Sequence, residues 1–149
     1  MTRLIGRYCT VLYCTVQVRE YHRVLGWQPE ERWPHLAEGR KYHACARIGD
    51  TVVVAGGSGY LTSTEVLDIS MRTVRAGGPL TSGRAYFTMS PLDGTLYALA
   101  GLTRGFEPAD SVERWEVGRE EWVVEEALAG GARWNMAGVT VYRGDVCTD

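Results

Sequence analysis

The sequence predicts an all-β fold of repeated four-stranded antiparallel units, and three observations carry that prediction. First, a motif recurs: GRKYHAC at 39–45, GRAYFTM at 83–89 and ARWNMAG at 132–138 bring Arg40, Arg84 and Arg133 into register, 44 and 49 residues apart. Second, the first two copies each pass through a turn, Gly49-Asp50 or Asp93-Gly94, into an apolar run, TVVVAGG at 51–57 or TLYALAG at 95–101, again 44 residues apart. Third, the 149 residues include 18 Gly but only 5 Pro, and Gly without Pro in a folded chain means many tight turns between short elements.

Residues 1–23 align with no other part of the chain and read as a leader or as strands of a partial unit; residues 24–39 read as the end of that unit. In each full copy the first strand is expected to begin at the Arg, turn at the Gly-Asp or Asp-Gly pair, and return as a second strand ending at the glycines. Unbroken apolarity in those second strands implies burial on both faces. Gly56 and Gly57 supply the positive φ and close backbone approach that such a strand end requires, whereas in the next copy Ala100 stands before Gly101. A second strand pair follows. Trp27 and Trp33 flank a Pro turn six residues apart, Trp115 and Trp122 lie seven apart, and in the middle copy Leu67 and Thr73 take the places of the rings. The units therefore run 40–83 and 84–132, with a truncated start at 133–149. Each has the size and strand count of one propeller blade. A helical reading competes over 120–129, where Trp115 and Trp122 at i and i+7 would share a face, and Gly118 and the repeat register oppose it.

On these residues the chain resembles the kelch-repeat β-propeller family. The resemblance rests on the run into Gly56-Gly57, the run into Gly101, the strand-opening arginines and the pairs Trp27/Trp33 and Trp115/Trp122, and it spans roughly residues 24–147. It implies an incomplete propeller, since 149 residues at 44 per blade make about 3.4 blades and propellers close with four to eight. Two open faces of about 400 Å² each would forfeit about 20 kcal/mol at about 25 cal/mol per Å². The expectation is a piece of a longer protein, or a protomer that completes its ring by self-association.

Composition narrows the function. A net charge of −2 gives no electrostatic footprint for a phosphate backbone, so neither nucleic acid nor a polybasic membrane contact is expected. The most apolar stretch near the start, 8–18, is broken by Thr and Gln and is too short for a membrane span. Cys9, Cys14, Cys45 and Cys147 are sparse and include no CxxC pair, which argues against a disulfide scaffold or zinc site and for a cytoplasmic setting. The acidic run 107–126 reads as a solvated edge. No metal, cofactor or catalytic residue is expected. His22, His35 and His43 are scattered, the His43/Cys45 pair has no completing ligands, and Ser58 lacks the nucleophile-elbow pattern.

In a kelch propeller the loops entering first strands and leaving the glycines share one face. The resemblance therefore implies a partner-binding set of Arg40, Tyr42, Arg84, Tyr86, Arg104, Phe106, Arg133 and Trp134, with guanidinium forks matched to the carboxylates of an acidic peptide or degron. The competing role for Arg40, Arg84 and Arg133 is structural, hydrogen-bonding loop carbonyls. The function implied is a protein-interaction module, as in the substrate-recognition part of a cullin-RING ubiquitin ligase adaptor. The alternatives are a cytoskeletal, actin-associated kelch protein and a fragment of a kelch-type enzyme.

Overall fold

The computed structural model describes residues 21–22, 25–27 and 33–138, except 117 and 120. Among them every regular element is a strand and none is a helix. β1 (Tyr21–His22) and β2 (Gly26–Trp27) form a short antiparallel pair. β3 (Ala44–Ile48), β4 (Thr51–Ala55), β5 (Thr64–Asp68) and β6 (Thr73–Gly77) form one antiparallel sheet in chain order. β7 (Thr88–Leu92), β8 (Thr95–Leu99), β11 (Val112–Glu116) and β12 (Val123–Val124) form a second, with a two-residue hairpin of β9 (Leu102–Thr103) and β10 (Glu107–Pro108) inserted after β8.

The turn residues set the hairpins. Asp93 and Gly94 both take positive φ, as a two-residue type I′ turn requires, and fix Leu92 opposite Thr95. In the first sheet Gly49 takes positive φ and Ile48 faces Thr51. The second strands end at the glycines as expected, but the first strands begin at Ala44 and Thr88, four residues after Arg40 and Arg84. The cause is the backbone between. Tyr42 (φ 58) and Tyr86 (φ 53) are left-handed, and extended pairing begins only beyond them. Residues 123–124 are strand, not helix.

Register also corrects one alignment. Leu67 faces Val74 across β5 and β6, while Arg114 faces Val123 across β11 and β12, which puts Trp115 opposite Trp122. The counterpart of Trp122 in the first sheet is therefore Val74, and Thr73 pairs with Asp68 instead. Both sheets keep a seven-residue spacing, so the Trp115/Trp122 interval carries no insertion. Trp115 and Trp122 are buried with ring centroids 6.3 Å apart, whereas Trp33 is buried and Trp27 half-exposed.

The core shows how the sheets stack. Ala44, Val53, Ala55 and Val66 from one face of the first sheet cluster with Met89, Leu96, Ala98, Trp115 and Trp122 of the second. The equivalents of that second set in the first sheet, including Val52, Val54, Leu67 and Val74, pack on the opposite face around Leu36. The front of one sheet therefore meets the back of the other. Burial follows: Val53, Val54 and Ala55 are all buried, while in β8 only Leu96 and Ala98 are, with Tyr97 and Leu99 half-buried on the outer face.

Candidate functional site at the loop end

One end of both sheets gathers the strand-entry and strand-exit loops, and two repeated devices build it. The first is a buried clasp. Arg40 is 2% exposed; its Nη1 donates to the carbonyls of Gly56 and Ser63 (both 2.9 Å), and Nη2 donates to Ser63 Oγ (2.9 Å) and Glu65 Oε1 (3.2 Å). Glu65 in turn accepts the Ala37 N–H at 2.7 Å. Arg84, fully buried, repeats each contact: Nη1 to the carbonyls of Ala100 and Ser111, and Nη2 to Ser111 Oγ and to Glu113, which accepts the Thr81 and Ser82 N–H groups. Such burial is tolerable because each guanidinium and carboxylate finds fixed partners.

Of the two roles open to the recurrent arginines, this geometry matches the structural one at Arg40 and Arg84. The forks of Arg40 and Arg84 are buried and engaged within their own sheets, where they tie the loop before a first strand to the third strand. Arg133 differs. It is exposed, and its Nε and Nη2 donate to the carbonyls of Gly131 (3.3 Å) and Ala129 (3.1 Å). The glutamates were missed in the sequence, although SxE at 63–65 and 111–113 recurs 48 residues apart and signals them.

The second device is a backbone ladder that displays aromatic rings. The Tyr86 N–H donates to the Tyr42 carbonyl, and the Asn135 N–H to the Tyr86 carbonyl, both at 2.9 Å. All three residues are left-handed, Asn135 at φ 54. Beside them the Gly57 N–H reaches the Arg84 carbonyl and the Gly101 N–H the Arg133 carbonyl, again at 2.9 Å. Gly56 is needed here, because a Cβ would lie 2.5 Å from the Arg84 carbonyl oxygen. The rings of Tyr42 and Tyr86 stack with centroids 4.1 Å apart, and Tyr86 meets Trp134 edge-on at 6.1 Å. On the exit loops Tyr60 (φ 56) and Phe106 (φ 65) meet edge-on at 5.9 Å. A hydrogen bond with the Tyr42 hydroxyl, then desolvation and the neighbouring Tyr42 and Tyr60, hold the Tyr86 phenol above its usual range. Lys41 Nζ lies 5.7 Å from the centre of the Tyr42 ring.

The structure thus brings Tyr42, Tyr86, Phe106 and Trp134 to one end, and Phe106 (75%) and Trp134 (50%) stand well out of the protein. Tyr60 belongs with them, and the repeated Gly-aromatic step at 59–60 and 105–106 is its sequence signal. Arg104 is exposed and lines an open cleft of about 510 Å³ with Gly59, Tyr60, Ser82, Gly83 and Thr103. Gly83 lets the loops approach, since a Cβ there would lie 1.8 Å from the Tyr60 carbonyl oxygen.

Part of the acidic run is neutralised beside β11: Arg114 binds Glu125 and Glu116, which in that order raise its already high pKa, and Arg119 binds Glu116. Among the described residues no three His, Cys, Asp or Glu gather in a metal-binding arrangement, and no helix is long and apolar enough to cross a membrane. No family model matches the chain, and no curated protein matches it.

Proposed function

We propose that this chain is a protein-interaction module, part of a kelch-type β-propeller, that takes a partner protein on its aromatic loop end. Two four-stranded sheets of common register, stacked front to back and tied by the same Arg-Glu clasp, support the architectural half of this reading. The functional half rests on one observation: four aromatic residues, Tyr42, Tyr60, Tyr86 and Phe106, hold left-handed backbone at the same end. A bulky residue in that region costs on the order of 1 kcal/mol, which Gly or Asn largely avoids, and such strain collects at functional sites. Rigid rings with polar tips are also the side chains that anchor interfaces. In its specific form the module recognises substrates for a cytoplasmic cullin-RING ligase; a cytoskeletal form would take actin filaments instead.

A photo-crosslinking residue tests the reading. Placed at Phe106, it is expected to give discrete protein adducts in cell extract that disappear in the Tyr86→Asn background. Placed at Leu92, beside the turn at the opposite end, it should give none. Asn suits left-handed backbone, as Asn135 does in the next copy, so Tyr86→Asn should leave the melting temperature within about 3 °C. Equal labelling from both positions, or adducts indifferent to Tyr86→Asn, overturns the reading. Adducts containing cullin or actin separate its two forms.

A further inference from the structure

Tyr42 and Tyr86 carry a chemical capacity that partner binding leaves unused. Their rings stack with centroids 4.1 Å apart and planes 20° from parallel, and their hydroxyl groups lie against each other. With the two phenols overlaid in the same sense, the ring carbons that flank each hydroxyl, Cε1 and Cε2, face their counterparts across the stack. In a phenoxyl radical those carbons share the unpaired electron with the oxygen. The pair is also held in place: the Tyr86 N–H donates to the Tyr42 carbonyl at 2.9 Å, and both backbones are left-handed. Both side chains are half-buried, so solvent reaches them while each ring covers one face of the other. Among the described residues Tyr60 meets Phe106 instead, and Tyr97 stacks on no second tyrosine.

We propose that Tyr42 and Tyr86 form an oxidative cross-linking site, joined Cε to Cε as a dityrosine by hydrogen peroxide acting through a one-electron oxidant of the haem-peroxidase class. Each phenol gives up one electron and one proton. The two radicals combine in a carbon–carbon bond, and each Cε hydrogen at that bond moves to its own phenolic oxygen and restores the ring. The two electrons and two protons released reduce one hydrogen peroxide to two waters. Because the rings are already in contact, coupling is intramolecular and outruns collision between chains. The bond fastens the loop before β3 to the loop before β7, across 44 residues of chain, in the geometry the ladder already sets. This chemistry is independent of which partner the loop end takes.

The experiment treats the full chain with hydrogen peroxide and a haem peroxidase, at a dose set to couple N-acetyltyrosine in a parallel tube. The expected product is a monomer lighter by two hydrogens, with dityrosine fluorescence, whose digest links the peptide holding Tyr42 to the peptide holding Tyr86. Its yield per chain should be unchanged on about tenfold dilution, as an intramolecular step requires, and Tyr42→Phe or Tyr86→Phe should each lower it at least about tenfold. Tyr97→Phe should leave it unchanged. The linked monomer should melt at least about 5 °C higher, because the bond restricts the unfolded chain. A protein that stays uncoupled at this dose overturns the site, as do links formed mainly between chains, links that omit either residue, or a yield indifferent to Tyr86→Phe. A linked monomer that melts no higher than the untreated chain overturns the claim that the bond fits the native loops.

Discussion

Arg84→Ala should be far more costly than Arg133→Ala, although the two arginines hold the same position in successive copies. Removing the Arg84 side chain strips donors from the Ala100 and Ser111 carbonyls and from Ser111 Oγ, and leaves the fully buried Glu113 carboxylate without its cation. Breaking a buried pair from one side typically costs about 3–5 kcal/mol, because the orphaned charge remains in a poorly solvating interior. The Thr81 and Ser82 N–H groups still reach Glu113 and soften that penalty, so we take about 4 kcal/mol. At about 2–4 °C per kcal/mol for a chain of this length, the melting temperature should fall by about 8–16 °C. Arg133→Ala loses two exposed bonds to carbonyls and should cost less than about 1 kcal/mol. Urea unfolding read by tryptophan fluorescence measures both, with the buried Trp115 as reporter. Deleting Glu113 as well should recover part of the loss, making the double variant more stable than the two single costs summed by about 2 kcal/mol. An Arg84→Ala cost below 1 kcal/mol, or equal to that of Arg133→Ala, would refute the clasp.

Three further outcomes are expected. Gly83→Ala should destabilise by about 2–4 kcal/mol because its methyl group would strike the Tyr60 carbonyl, whereas Gly131→Ala, with open space around it, should cost only about 1 kcal/mol of backbone strain; chemical denaturation compares them. Asp68 is held below the usual carboxylate range by the Met71 N–H and then the Ser70 hydroxyl. Its contribution to stability is thus present above the unfolded-state value near 4 and fades as pH falls through the lower folded value. The gap in urea midpoint between wild type and Asp68→Asn should accordingly close in that acid window and stay constant from pH 5 to 7. Tyr42→Phe removes the main cause of the raised Tyr86 phenol, so in a spectrophotometric titration one phenolate should appear at lower pH than in the wild type; no movement would place the cause elsewhere.

Periodicity made the sheets legible because it reports burial directly. The Gly-Asp and Asp-Gly turns between apolar runs marked both hairpins, and the glycines marked where the second strands stop. Strand starts were not legible, since nothing local to Tyr42 or Tyr86 announces left-handed backbone in a residue that disfavours it; the ladder of bonds between copies imposes it. Leu67 and Thr73 were matched to the rings by counting residues, and only cross-strand register shows that Val74 fills the second place. The recurrent arginines were visible, but their burial depends on glutamates 25 and 29 residues downstream. Recurrence alone does not distinguish a residue kept for a partner from one kept for its own sheet. The exit-loop residues Arg104 and Phe106 were legible from the position of the glycines, and Tyr60 carries its signal in the repeated Gly-aromatic step, although only the ring contact shows the two loops meeting.

The ladder through Tyr42, Tyr86 and Asn135 joins main chain to main chain. What lines up the three loops is thus indifferent to which side chains they carry, provided each tolerates left-handed backbone. Randomising positions 42, 86 and 135, together with 60 and 106, would change the chemistry displayed at this end while sparing the clasp and core. The same separation lets copies of one repeat diverge in surface chemistry at little cost to foldability, and it offers a single frame on which new surfaces can be selected.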